Sequence, residues 1–222
     1  MTFTMPEGLD PYSDEWLAVS TMGYLAPPRF HATAMLPPGG AAEDPELSGR
    51  HHDPELAAQV RTWLLSHSPG DSLLIMGDVG TGKTHLAYRI LRHLLDRRLR
   101  DGDMIRPEFD VNAISEDKLL KGRRSSGSID DMRFTHQFLQ PALLMIDDLG
   151  VAKRTEFVET EMYDLVNHRY ENMLTTIYTT NILPDDLQEH LGDRVADRLR
   201  GMCTMIVLVG DSLRTTTPVV RD

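Results

Sequence analysis

A three-layer α/β/α fold around a parallel five-stranded sheet is what this sequence predicts, and three observations predict it. From residue 70 onward, short apolar β-rich runs alternate with longer segments of helical periodicity, the pattern of strands joined by crossover helices. One of those runs, Ala142-Leu-Leu-Met-Ile, is apolar at every position, as a strand buried on both faces requires. Another, Ser72-Leu-Leu-Ile-Met, breaks directly into a glycine-rich octapeptide, Gly77-Asp-Val-Gly-Thr-Gly-Lys-Thr84. In order, the elements read as a helix from 54 to 66, a strand from 72 to 77, a helix from 83 to about 99 and a strand from 108 to 113. A polar helical stretch from 115 to 138, a strand from 142 to 147, a helix from 155 to 172 and a strand from 175 to 181 follow. Short helices from 184 to 200 and a strand from 204 to 209 close the series.

The first helix has a start signal in Asp53-Pro54 and an apolar face in Leu56, Val60, Trp63 and Leu64. The octapeptide after the first strand fits the spacing of a phosphate loop, so the fold is expected to be that of a P-loop NTPase. Its glycines let backbone N–H groups turn around an anion while the following helix aims its positive end at the same point. Gly77, Asp78, Val79, Gly80, Thr81, Gly82, Lys83 and Thr84 therefore form the candidate nucleotide-binding set, with ATP as the expected ligand. Lys83 supplies a point charge for the β and γ phosphates, and Thr84 a hydroxyl for Mg²⁺. The two acids that end the 142 to 147 strand divide the remaining work. Asp147 is expected in the Mg²⁺ shell, and Asp148 to orient and polarise the attacking water. Asn181, at the end of Thr175-Thr-Ile-Tyr-Thr-Thr, can bond both the γ-phosphate and that water if its strand lies beside the acidic one.

Composition sets the outer limits. A chain of 222 residues, 41% hydrophobic, has room for one sizeable core, and no apolar run reaches the length of a membrane span. With no signal-peptide pattern and a single cysteine, Cys203, a cytoplasmic location without membrane contact is expected. A net charge of −11 argues against a general nucleic-acid coat protein, so any DNA contact must be local. The best local candidate is Lys118-Leu-Leu-Lys-Gly-Arg-Arg124, whose cations are Lys118, Lys121, Arg123 and Arg124; a solvated charge run is the alternative. Residues 1–50 hold seven of the thirteen prolines and read as an extended arm. Residues 51–214 read as the catalytic domain, and 215–222 as a tail. Near the end, Asp193-Arg-Val-Ala-Asp-Arg-Leu-Arg-Gly201 reads as a short helix with an aspartate cap and a glycine stop. Arg194 and Arg198 share one of its faces, either as a surface stitched by ion pairs or as arginine fingers for a neighbouring subunit.

Five segments occur in one order: Gly-Thr-Gly-Lys-Thr-His-Leu-Ala (80 to 87), Leu-Met-Ile-Asp-Asp-Leu-Gly (144 to 150), Tyr-Thr-Thr-Asn (178 to 181), Leu-Gly-Asp-Arg-Val-Ala-Asp-Arg-Leu (191 to 199) and Gly-Asp-Ser-Leu-Arg (210 to 214). Together they resemble the AAA+ ATPases of the DnaC/DnaI helicase-loader group and the sister IstB transposition ATPases. The resemblance runs from about residue 26, where Pro28-Arg-Phe-His-Ala-Thr33 is similar to the segment those proteins carry ahead of the core. It implies an AAA+ core without a helical lid and ATP-dependent assembly into a spiral or ring. It also implies that Arg198, with Arg194, reaches a neighbour's γ-phosphate, and that His85 and Arg214 join the nucleotide site. Residues 115 to 138 stand where loaders carry a helical insertion that touches single-stranded DNA. The implied partner is a replicative helicase or, on the IstB side, a transposase. Only about 25 residues precede the resemblance, so the separate partner-binding domain of many loaders is not expected. Aspartate at 148, where other AAA+ enzymes carry glutamate, leaves a weakly hydrolysing, nucleotide-gated module as a third reading.

Overall fold

The computed structural model describes residues 10, 13–34, 54–102, 110–124, 134–210 and 212. Strand β1 (Ser72–Gly77) is six residues buried throughout, because alternate side chains serve two cores. Leu73 and Ile75 join the cluster on one face, and Leu74 and Met76 the cluster on the other. The same division holds in β3 (Leu143–Leu149) and β4 (Thr175–Thr180). With β2 (Val111–Ser115) and β5 (Cys203–Leu208), they form one sheet in the order β2-β3-β4-β1-β5. Every pairing is parallel. The expected five-stranded parallel sheet is therefore present.

One face carries α1 (Asp14–Leu25), the short α2 (His31–Ala34), α3 (Pro54–Ser66) and α4 (Lys83–Arg100). The other carries α5 (Glu116–Arg124), α6 (Glu156–Glu171), α7 (Leu187–Leu191) and α8 (Asp193–Met202). Three layers result. In α3, Leu56, Val60, Trp63 and Leu64 are buried as their spacing required; Asp53, the expected cap, lies outside the described residues.

Several expectations need correction. The arm over 1–50 is not extended from Asp14 to Leu25, where α1 is capped by the Ser13 hydroxyl accepting from the Trp16 N–H at 3.1 Å. Its Ala18 and Met22 are fully buried in the core beside α4. The physical reason is that the seven prolines leave residues 12–26 proline-free, a window long enough for a helix that Ser13 can cap. Strand β2 starts three residues and ends two residues later than the pattern from 108 to 113 suggested; as an edge strand only half-buried after Val111, it has weak alternation. In α8, Gly192 at φ 83° is the cap, Asp193 opens the first turn, and the helix runs through Gly201 to Met202. A glycine with open space around it stops no helix when the next residues are carried into a strand. The stretch from 115 to 138 is helical over α5 and as a π-turn at Thr135–Leu139, while 125–133 lie outside the described residues.

Candidate functional site

The site is assembled at the carboxyl ends of β1, β3 and β4, which the strand order places side by side. Gly77, Gly80 and Gly82 have φ of 139°, 90° and 92°, conformations that L side chains rarely adopt, and they wrap the chain from β1 into α4. A methyl at Gly77 would come within 2.3 Å of the Leu208 carbonyl oxygen on β5, and one at Gly80 within 2.1 Å of the Ser212 hydroxyl. The loop is thus fitted against the chain's C-terminal part as well as shaped for an anion. Lys83 is buried, and its Nζ donates to the carbonyls of Gly77 at 2.8 Å and Asp78 at 2.7 Å. Asp78 and Val79 are exposed at the loop's outer side, while Thr81 is buried with its hydroxyl donating to the Asp78 carbonyl.

The acids face this loop. The Thr84 hydroxyl donates to Asp147 Oδ1 at 2.9 Å, so a residue of the phosphate loop and one from β3 share a contact across 63 positions of sequence. The same oxygen accepts from the Thr179 hydroxyl of β4 at 2.6 Å, and Thr179 Oγ1 accepts from the Asp148 N–H at 3.0 Å. Burial is the main cause that raises the Asp147 carboxyl above its ordinary range. Thr179 and Thr84 act against it, Asp148 adds to it, and the Arg29 charge lowers it. A register shift between Ile146 and Leu149 puts both acids on a bulge, and Asp148 sits at φ 57° with its side chain exposed. Strain of that kind is concentrated at functional sites. Asn181 follows β4 directly beside β3, as its expected role required, and lines a cavity of about 300 Å³ with Gly150, Ile182, Asp186 and His190.

The other predicted residues divide. His85 turns its ring to Phe30, with centroids 4.7 Å apart, which ties the segment before the core to the start of α4. Arg214 lies outside the described residues. Arg194 and Arg198 lie on the outer face of α6: Arg194 over the Tyr163 ring at 5.6 Å, Arg198 over Tyr170 at 5.2 Å with its Nε donating to Asn167 at 3.0 Å. Val195 and Leu199 are buried beneath them. The four cations of α5 are not one patch. Lys118, Lys121 and Arg124 are exposed, Arg124 with its guanidinium over Phe157, whereas Arg123 is part-buried, pairs with Glu161 and covers Phe134. Sequence reasoning missed Thr179, Ser212 and Glu116. Thr179 stood inside the quoted Tyr-Thr-Thr-Asn segment, yet nothing in its type separates it from its neighbours until β3 and β4 are paired.

A glycine-wrapped loop with a buried lysine, facing the Thr84–Asp147 contact at the sheet's carboxyl end, is the arrangement of a P-loop protein of the AAA+ type. The chain belongs to the IstB-like ATP-binding protein family, whose profile matches residues 32–219. It is 28% identical over 145 residues to the replicative helicase loader DnaC of Escherichia coli, covering 65% of this chain and 56% of that protein. It is 30% identical over 139 residues to the chromosomal replication initiator DnaA of Deinococcus deserti, covering 59% of this chain and 28% of that one. Among solved structures, the DnaC helicase loader superposes with a TM-score of 0.59 at 22% identity, covering 76% of this chain and 98% of that chain. DnaI does so with 0.59 at 20%, covering 81% and 95%. At these identities the likeness is one of fold.

Proposed function

We propose that the chain is a Mg²⁺-dependent ATPase that acts on DNA as a replication factor of the helicase-loader type. The observation that carries this reading is the hydrogen-bonded trio Thr84, Asp147 and Thr179 facing the phosphate loop, which brings a hydroxyl and a carboxylate to one point. Thr84 and Asp147 are hard oxygen donors of the kind Mg²⁺ takes, and would hold it; its contribution there is to neutralise charge on the phosphate oxygens. Lys83 binds the β and γ phosphates, Asp148 orients the attacking water and takes its proton, and Asn181 bonds the γ-phosphate side of the site. Arg198, with Arg194, serves a neighbouring protomer, because both are laid on α6 rather than on their own loop. ATP-bridged homo-oligomers follow. Single-stranded DNA is the expected nucleic acid, in keeping with the structural neighbour described as DnaA bound to AMPPCP and single-stranded DNA. A replicative helicase is the expected partner and the cytoplasm the place of action.

A second reading is favoured by the family itself: an IstB-type ATPase that directs a transposase to duplex DNA. The test is ATP turnover with single-stranded and duplex DNA, followed by capture of partners from native lysate with ATP present. Stimulation by single strands and recovery of a helicase support the first reading. Duplex stimulation and recovery of a transposase support the second. No ATP turnover under any condition defeats both and leaves a nucleotide-gated binding module.

A further inference from the structure

Glu116 is the first residue of α5 and is 1% exposed. Its Oε2 accepts from the backbone N–H of Gly150 at 3.1 Å and of Ala152 at 2.9 Å, the turn that follows Asp147 and Asp148. Its Oε1 is buried and has no hydrogen-bond partner among the described residues. Burying a carboxylate with half its acceptors unmet is costly, and burial raises this carboxyl above the ordinary range while the turn amides oppose the shift. A strand that merely had to end could do so in water.

The turn held by Glu116 is constrained from its other side too. Gly150 has φ 82°, and a methyl there would come within 2.2 Å of Ile182 Cδ1. The Val151 N–H reaches back to the Asp148 carbonyl at 3.4 Å, so the turn and the acid at φ 57° are parts of one short structure. We propose that Glu116 is a positioning residue for ATP hydrolysis: by gathering the amides of the 150–152 turn on one buried carboxylate oxygen, it fixes the bulge that presents Asp148 to the cleft. The inference rests on the hydrolytic role given above to Asp148.

The experiment compares the full-length wild type with Glu116→Ala, Glu116→Gln, Asp148→Asn and the Glu116→Ala/Asp148→Asn double variant. It reads melting temperature, affinity for a non-hydrolysable ATP analogue, and steady-state turnover. Glu116→Ala is expected to bind the analogue as the wild type does while kcat falls about tenfold or more, because misplacement of a reacting group is expensive. Glu116→Gln keeps an acceptor oxygen and should recover part of that loss. The double variant should be no slower than Asp148→Asn alone, the mark of a residue acting through another. Full kcat in a folded Glu116→Ala, or losses that multiply in the double variant, overturns the proposal. So does failure of both Glu116 variants to fold, which makes the residue a folding element. If Asp148→Asn turns over like wild type, the hydrolytic reading of Asp148 fails and takes this inference with it; a slow Asp148→Asn beside a normal Glu116→Ala overturns the inference alone.

Discussion

The carboxyl end of the sheet and the outer face of α6 both gather polar side chains, yet they use them differently. At the sheet end, Lys83, Thr84, Asp147 and Thr179 are bonded to one another or to the loop, and the contacts close within the chain. On α6, Arg194 and Arg198 lie on tyrosine rings at 5.6 Å and 5.2 Å, Arg194 exposed and Arg198 half-buried, with one hydrogen bond to Asn167 and a weak pair with Asp197. A third setting calibrates the two. Arg169, on the same α6 but fully buried, donates to Thr176, Phe138, Leu139, Pro141 and Thr175, and burial lowers its pKa to about 10. A guanidinium used for structure is surrounded in that way. Among the described residues, Arg194 and Arg198 have fewer partners than that, an arrangement open both to solvent and to the neighbouring protomer proposed above.

The comparison breaks most sharply at the nucleotide end. Lys83→Ala should abolish ATP binding, because the phosphates lose their principal cation while the apolar core is untouched. Isothermal titration with ATP checks it; near-normal affinity would remove the phosphate loop from the site. On the α6 face, Arg198→Ala should leave the protomer's ATP affinity near normal and reduce turnover by about a thousandfold, with loss of ATP-dependent oligomers. Mixing it with Lys83→Ala protein, each inactive alone, should restore part of the activity by pairing an intact loop with an intact arginine. If mixed oligomers form and no activity returns at any ratio, Arg198 belongs with Arg169 as a structural residue. Asp148→Asn should bind ATP normally and slow turnover about a hundredfold, because an amide cannot accept the water's proton. Unchanged single-turnover rates would exclude Asp148 from the chemistry.

Much of the first region was legible in the sequence because its parts are fixed by backbone chemistry. Three glycines at positive φ and a lysine at set spacing announce an anion loop, and an all-apolar strand announces where its acids emerge. Thr179 and Glu116 were not legible, since each acts through a neighbour on another strand or turn, 31 to 36 residues away. The helix α1 was hidden for a different reason: its burial depends on α4, a segment some sixty residues later, and its local signals, the Ser13 cap and the proline-free window, say nothing of that packing. The α6 face was half legible. The four-residue spacing of Arg194 and Arg198 gave the shared face, but not which helix lies beneath it.

A related contrast, between a part-buried cation and exposed ones, recurs inside α5 and gives the smallest and sharpest prediction. Arg123 is only 23% exposed, paired with Glu161 and laid over Phe134 at 4.4 Å; Lys118 and Lys121 are exposed, and the pair of Lys121 with the exposed Asp117 is of a kind worth little. If α5 contacts single-stranded DNA, the exposed Lys118, Lys121 and Arg124 are the side chains placed to carry the contact, and Arg123 holds the helix in place. Replacing Lys118 and Lys121 by Ala should weaken binding and flatten the salt dependence by about 1.4 in log–log slope, since each cation on a single strand accounts for about 0.7. Melting temperature and ATP affinity should not move. Arg123→Ala should do the reverse, lowering the melting temperature with little change in slope, because it breaks a part-buried ion pair rather than a phosphate contact. The measurement is DNA affinity by fluorescence anisotropy across a salt series, beside thermal melts of each variant. An unchanged slope in the double lysine variant would mean that the two lysines of α5 are a solvated face, and a flattened slope in Arg123→Ala would mean that the pair with Glu161 opens to reach DNA.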